Sequence, residues 1–177
     1  TRRRDEPRSL MAAALWTDAE YRLDPFLRRL LLLRLAAGPR HAWTTTHEAL
    51  RVAYERGKET DHALRHTLAK GDVPKVVAAL EGRLDGDAAA WVALACSVVR
   101  APRADPATSD PDGVLGTFDG DRPTGVAYVL ARLVIVAWML HDPLTPGAAE
   151  LRETYAVRCW ELAQKLTERN PALADLL

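Results

Sequence analysis

Three side chains in the first half of the chain have the types and spacing to bind a metal ion. His62 and His66 are four residues apart, and Glu59 precedes His62 by three. Residues three and four apart share one face of a helix, so a helix here would present one carboxylate and two imidazoles together. That set suits zinc, iron or manganese. His47 and Glu48 could add ligands. We nevertheless expect ordinary histidines on a solvated helical face and no cofactor, with a bound divalent metal as the alternative.

A second candidate site is an arginine inside an apolar run. Residues 126–140 read VAYVLARLVIVAWML, in which Arg132 is the only charged residue. A guanidinium in apolar surroundings needs a carboxylate partner, a bound anion or a position at a solvent-exposed edge of the helix. We expect a partner from another helix or from Asp119 or Asp121. The alternative is an anion-binding pocket with Tyr128 and Trp138 as its walls.

Two nucleic-acid functions are weaker alternatives. Arg56 precedes His62 at a spacing that resembles the Arg–His signature of HEPN-type helical ribonucleases, but arginine is abundant enough to produce such pairs by chance. Residues 62–80 could form a helix-turn-helix, yet the second helix offers Lys75 and few groups able to read bases. The formal net charge of zero also argues against nucleic-acid binding.

Helices must position these residues. Residues that typically begin or end a helix recur throughout the chain, whereas patterns typical of strands are almost absent. Caps, glycines and prolines predict seven helices, at about 25–37, 45–56, 61–70, 74–80, 88–100, 124–141 and 145–169. The fold class is therefore all-α, a single irregular bundle around a central apolar helix at 126–140. The helix at 25–37 is apolar nearly all round and is expected to be buried beside it.

The 177 residues predict one domain, with a basic arm at 1–8 and a long irregular loop at 102–123. The apolar run at 126–140 is shorter than the roughly 20 residues that span a bilayer. No apolar stretch typical of a signal peptide follows the basic arm. Cys96 and Cys159 lie in apolar helical patterns and are expected to be buried, reduced thiols. A cytoplasmic location is expected, with no membrane partner.

By elimination, the sequence favours a non-enzymatic interaction or regulatory protein, although enzymatic activity stays open. Its partner would be another protein or a second copy of the chain. The segments expected to dock are 9–23, 102–123 and the apolar tail 171–177. The alternative is a helical bundle that binds a metal or small ligand through Glu59, His62 and His66 or through Arg132.

Overall fold

The computed structural model describes residues 25–104, 125–141 and 148–176. This part of the chain is all-helical, with seven α-helices and no strand. In chain order the helices are α1 (Pro25–Ala36), α2 (Arg40–Arg56), α3 (Thr60–Ala69), α4 (Val73–Glu81), α5 (Ala88–Val98), α6 (Val126–His141) and α7 (Ala148–Thr167). A short 3₁₀ turn, Pro171–Leu173, follows α7. The arm 1–8, the segment 9–23 and most of the loop 102–123 lie outside the described residues.

Most helix ends coincide with local signals in the sequence. The Asp72 side chain caps α4 by accepting a hydrogen bond from the Lys75 amide, and the Asp87 side chain caps α5 by accepting one from the Ala90 amide. Gly71 ends the α3–α4 turn with φ +85°, a left-handed conformation that suits glycine. The predicted succession of helices is therefore confirmed.

Helix α2 begins five residues earlier than predicted. Thr45 and Glu48 look like a capping box in the sequence, but both lie inside the helix. The helix begins after Pro39, whose φ of −59° already suits a helix start, and no side-chain hydrogen bond caps it. This extension places Trp43 and His47 on the same helical face.

Each described helix packs mainly on one to three other helices. Helix α3 contacts α2, α4 and α5, while α6 contacts α4 and α7. Many of the most deeply buried aliphatic side chains lie on α3, α4, α6 and the end of α7, namely Leu68, Val76, Leu80, Leu130, Ile135, Met139 and Leu166. Val98 on α5, Leu84 and Leu173 are buried as deeply. Helix α6 contributes seven buried residues to this core. Its central position within the whole bundle stays a prediction.

Helix α1 is not buried as its composition suggested. Phe26, Leu30, Leu31 and Leu33 are 66%, 45%, 55% and 40% exposed, respectively. The core contacts come instead from Leu32, Leu35 and Ala36 on the other side of the helix. We expected α1 to be buried on more than one side. This expectation is wrong, because the outward side of the helix is exposed.

The described part of the tail is anchored to the core through Leu173, and its role as a docking segment stays a prediction. Leu173 is fully buried, whereas Leu176 is 47% exposed. The Asn170 side chain donates hydrogen bonds to the Leu84 and Gly86 carbonyls at 2.7 and 3.2 Å. Arg169 also pairs with Asp85, at 2.9 Å. The tail therefore ties the end of α7 to the α4–α5 connection.

Among the described helices, none combines the length and apolar character that a bilayer span requires.

Candidate functional site

The α2–α3 hairpin brings together two histidines that are far apart in sequence. Trp43 Nε1 donates to the Ala69 carbonyl at 2.7 Å, which fixes the antiparallel register of the two helices. One turn further along, the Nδ1 atoms of His47 and His66 are 2.8 Å apart. His47 is 1% exposed, and its Nε2 has no hydrogen-bond partner. One ring must donate through Nδ1 and the other accept, so the pair requires at least one neutral imidazole.

Aromatic rings enclose this histidine pair. The Trp43 ring lies 4.3 Å from that of His47, and Tyr54 stacks on His66 at 5.3 Å and on His62 at 4.9 Å. Burial lowers the pKa of His47 to about 4. Burial, followed by the nearby positive charge of His47 and Arg65, lowers the pKa of His66 to about 4 as well. Both imidazoles are therefore neutral at pH 7, and the pair is a packed structural element.

The predicted metal ligands do not assemble in the described residues. His62 is on the exposed side of α3, with its Nε2 3.9 Å from Glu59 Oε2 and 3.8 Å from Asp61 Oδ2. His66 points instead towards His47. Within the described ranges, no group of three histidine, cysteine or acidic side chains could hold a metal ion. The metal site of Glu59, His62 and His66 thus stays a prediction without a geometry to support it.

Glu48 has a different partner set from the metal ligation considered for it. Its carboxylate accepts hydrogen bonds from Arg51, at 2.6 and 3.0 Å, and from Lys70 at the end of α3. These two cations hold the pKa of Glu48 near 2, well below its usual range. The carboxylate is therefore an ionised link between α2 and α3.

Arg132 contacts Tyr128, whereas the described contacts of Trp138 are with other residues. The Arg132 guanidinium hydrogen-bonds to the Tyr128 hydroxyl and lies 5.1 Å from the centre of that ring. Trp138 donates to the Ala101 carbonyl at 2.8 Å, and Arg103 lies over its ring. Asp119 and Asp121, the expected partners of Arg132, lie outside the described residues. The anion site stays a prediction.

The positions suggested for nucleic-acid chemistry are spread over separate elements. Arg56 is the last residue of α2, whereas His62 stacks on Tyr54. Helices α3 and α4 do form a helix-turn-helix hairpin, but α4 buries Val73, Val76, Val77 and Leu80 and exposes Lys75. A single exposed cation on that helix is a weak basis for contacts with DNA phosphates.

The outer face of α1 is a candidate protein-docking surface that the sequence reasoning missed. We define it by Leu30 and Leu33, three residues apart, with the exposed Phe26 on the same side of the helix. Arg29 and Arg34 flank this face and are exposed. The signal was present in the sequence, since a helix that is apolar all round can pack on two sides at once.

Positive charge continues from α1 onto its neighbours. The twelve residues of α1 include three arginines and no acidic residue. Half-burial, together with the nearby guanidiniums of Arg28 and Arg100, lowers the pKa of Arg65 on α3. On the outer face of α1 itself, the positive charge is that of the flanking Arg29 and Arg34.

The cysteines also differ from the prediction. Cys96 is exposed and Cys159 is half-buried, and both are free thiols. Burial raises the pKa of Cys159. Both side chains line one apolar cavity between α5, α6 and α7. Spacing within single helices could not reveal this cavity, because its walls come from helices distant in sequence.

No protein-family model, curated protein or solved structure matches this chain.

Proposed function

We propose that this chain is a non-enzymatic, cytoplasmic regulatory protein that binds another protein through the outer face of α1. The observation that carries the proposal is the combination of apolar contact on one side of α1 and apolar exposure on the other. Leu32 and Leu35 pack on the core, whereas Leu30 and Leu33 are 45% and 40% exposed. Apolar side chains grouped on a surface mark sites of protein association.

Charge decides which kind of partner fits this face. Arg29 and Arg34 border the leucines, and α1 has no acidic residue. A partner helix with its own apolar stripe and flanking glutamates would bury the leucines and satisfy the arginines. A second copy of α1 packed on this face would bring the two flanking arginines of each copy towards those of the other. We therefore propose an acidic amphipathic helix, and not self-association, as the occupant.

The test uses a synthetic helix as the probe. A fluorescent peptide of about 20 residues, long enough to be helical, would present leucines at helical spacing with glutamates on both flanks. A matched peptide would have lysines in place of the glutamates. Fluorescence anisotropy is expected to show binding of the acidic peptide and at least about tenfold weaker binding of the basic one.

Protein variants locate the binding surface. Leu30→Gln/Leu33→Gln should weaken binding of the acidic peptide at least about tenfold, since it removes the apolar contact. Arg29→Gln/Arg34→Gln should weaken it less and reduce its salt dependence. The control Val157→Gln/Trp160→Gln alters two exposed apolar residues on α7 and should bind as the unmodified protein does.

Three results would overturn the proposal. One is equal affinity for the acidic and basic peptides. Another is self-association in sedimentation experiments that disappears in the Leu30→Gln/Leu33→Gln variant. The third is binding to vesicles of anionic lipid that depends on the same two leucines, because a basic apolar helix face also suits a membrane surface.

A further inference from the structure

The cavity between α5, α6 and α7 has walls that lack available polar groups. Its volume is about 290 Å³. Leucine, valine and alanine side chains form most of the lining, together with Trp91 and the two cysteines. The one polar atom of the Trp91 side chain, Nε1, is already engaged, since it donates to the Leu80 carbonyl at 2.9 Å. An enclosed occupant would find no charge and no strong hydrogen-bond partner on these side chains.

Three helices each contribute a small residue to the lining of the cavity. Ala95 lies on α5, Ala137 on α6 and Ala163 on α7, and all three line the cavity. Native interiors are close-packed and contain few voids larger than a water molecule. This cavity is partly open, so its apolar walls stay in contact with water until an apolar occupant covers them. The exposed Cys96 places one side of the cavity within reach of solvent.

We propose that this cavity is a binding site for a small neutral apolar molecule. A cavity of about 150 Å³ holds benzene, so 290 Å³ has room for roughly a dozen carbon atoms. A charged ligand would be desolvated without compensation, because the lining supplies no counter-charge. The occupant is thus a compact hydrocarbon-like molecule of bicyclic aromatic size. The site is separate from the outer face of α1, which contributes no lining residue.

The first experiment measures binding of naphthalene, a neutral molecule with ten carbons. Thermal unfolding of the full chain, followed by circular dichroism, should show a rise of several degrees in Tm at saturating naphthalene, because a ligand that binds only the folded state stabilises it. Palmitate serves as a size and charge control and should produce a smaller rise. No rise with naphthalene, or a larger rise with palmitate, would overturn the proposal.

A matched pair of alanine variants tests whether binding occurs in this cavity. Ala163→Leu places a larger side chain in the cavity, whereas Ala156→Leu makes the same change at an exposed position of α7. The first should abolish the naphthalene effect, and the second should retain it. Persistence of the full effect in Ala163→Leu would contradict the assignment. Ala137→Leu repeats the test from α6 in case Ala163→Leu does not fold.

A second experiment locates the bound naphthalene without any substitution in the cavity. Cys96 lines the cavity and is exposed, so a bound molecule should hinder its reaction with a thiol reagent. We expect saturating naphthalene to slow modification of Cys96 at least fivefold, as measured by mass spectrometry of the labelled peptide. An unchanged rate would show that naphthalene binds elsewhere and would overturn the assignment.

Discussion

Helices α1 and α6 are both rich in aliphatic residues but have different surroundings. Helix α1, PFLRRLLLLRLA, is rich in leucine, and helix α6, VAYVLARLVIVAWMLH, is rich in leucine and valine. Leu130 on α6 is 1% exposed, whereas Leu30 on α1 is 45% exposed. Composition thus indicates that a helix can be buried on several sides, but not how many sides the fold covers.

Charge separates the two helices more clearly than hydrophobicity does. Helix α6 has one arginine, Arg132, whose guanidinium contacts the ring and hydroxyl of Tyr128 one turn earlier. Helix α1 has three arginines, of which Arg29 and Arg34 border the exposed leucines. Guanidinium groups stay hydrated more readily at a surface than in a core. Their density in α1 is consistent with one side of that helix being open.

The largest expected effect comes from making the same truncation in both helices. Leu130→Ala should reduce the free energy of unfolding by about 2–5 kcal/mol, because it removes buried contacts and leaves a void. Leu30→Ala should change it by less than about 0.5 kcal/mol, as is usual for surface positions. Urea denaturation followed by circular dichroism measures both values. Equal losses would erase the contrast between α1 and α6.

Acidification tests how α2, the helix on which α1 packs, contributes to the stability of the protein. Helix α2 contributes His47, which pairs with His66 and has a pKa lowered to about 4 by burial. The unfolded chain has histidine pKa values near 6.5, so between pH 6.5 and 4 it binds more protons than the folded chain. Stability should therefore fall as pH drops through this range, by about 3 kcal/mol for His47 alone and by more for the pair, and this contribution should level off below pH 4.

Two histidine variants assign the acid sensitivity. Urea denaturation at pH 7 and pH 4.5 should show a smaller difference in His47→Gln/His66→Gln than in the unmodified protein. His62→Gln, at an exposed position of α3, should leave the difference unchanged. If the His62 variant alone removed the pH dependence, the buried pair would not be its source.

The smallest expected effect concerns the lone charge of α6. Arg132→Met keeps an unbranched apolar side chain at this position and removes the guanidinium. Because its described contact is a hydrogen bond to Tyr128 on the same helix, the change in unfolding free energy should stay within about 1 kcal/mol. A loss above about 2 kcal/mol in urea denaturation would instead indicate a buried carboxylate or bound anion at Arg132.

Local features were predictable from the sequence, and contacts between helices were not. Asp72 and Asp87 cap helices as expected because capping involves atoms only three residues away. The pairing of His47 with His66 depends on the register of the α2–α3 hairpin, which the Trp43 hydrogen bond fixes over 26 residues. The four-residue spacing of Trp43 and His47 could have suggested a shared face.

The outward side of α1 was missed for a related reason. Periodicity shows which residues of a helix are apolar, but exposure depends on the number of neighbours that the fold supplies. Leu32 and Leu30 are chemically identical, and only the packing of the α2–α3 hairpin distinguishes the inner from the outer side. The same limit applies to Cys96, which an apolar pattern placed in the core and the fold leaves exposed.

The most direct test of the account is carbene footprinting of the protein alone and with the acidic peptide. Labelling of side chains is read by mass spectrometry of proteolytic fragments. In the free protein, we expect strong labelling at Leu30 and Leu33 and weak labelling at Leu130, with peptide binding suppressing only the first two. Weak labelling of α1 in the free protein, or no suppression by the peptide, would contradict the claim that the outer face of α1 is an open docking surface.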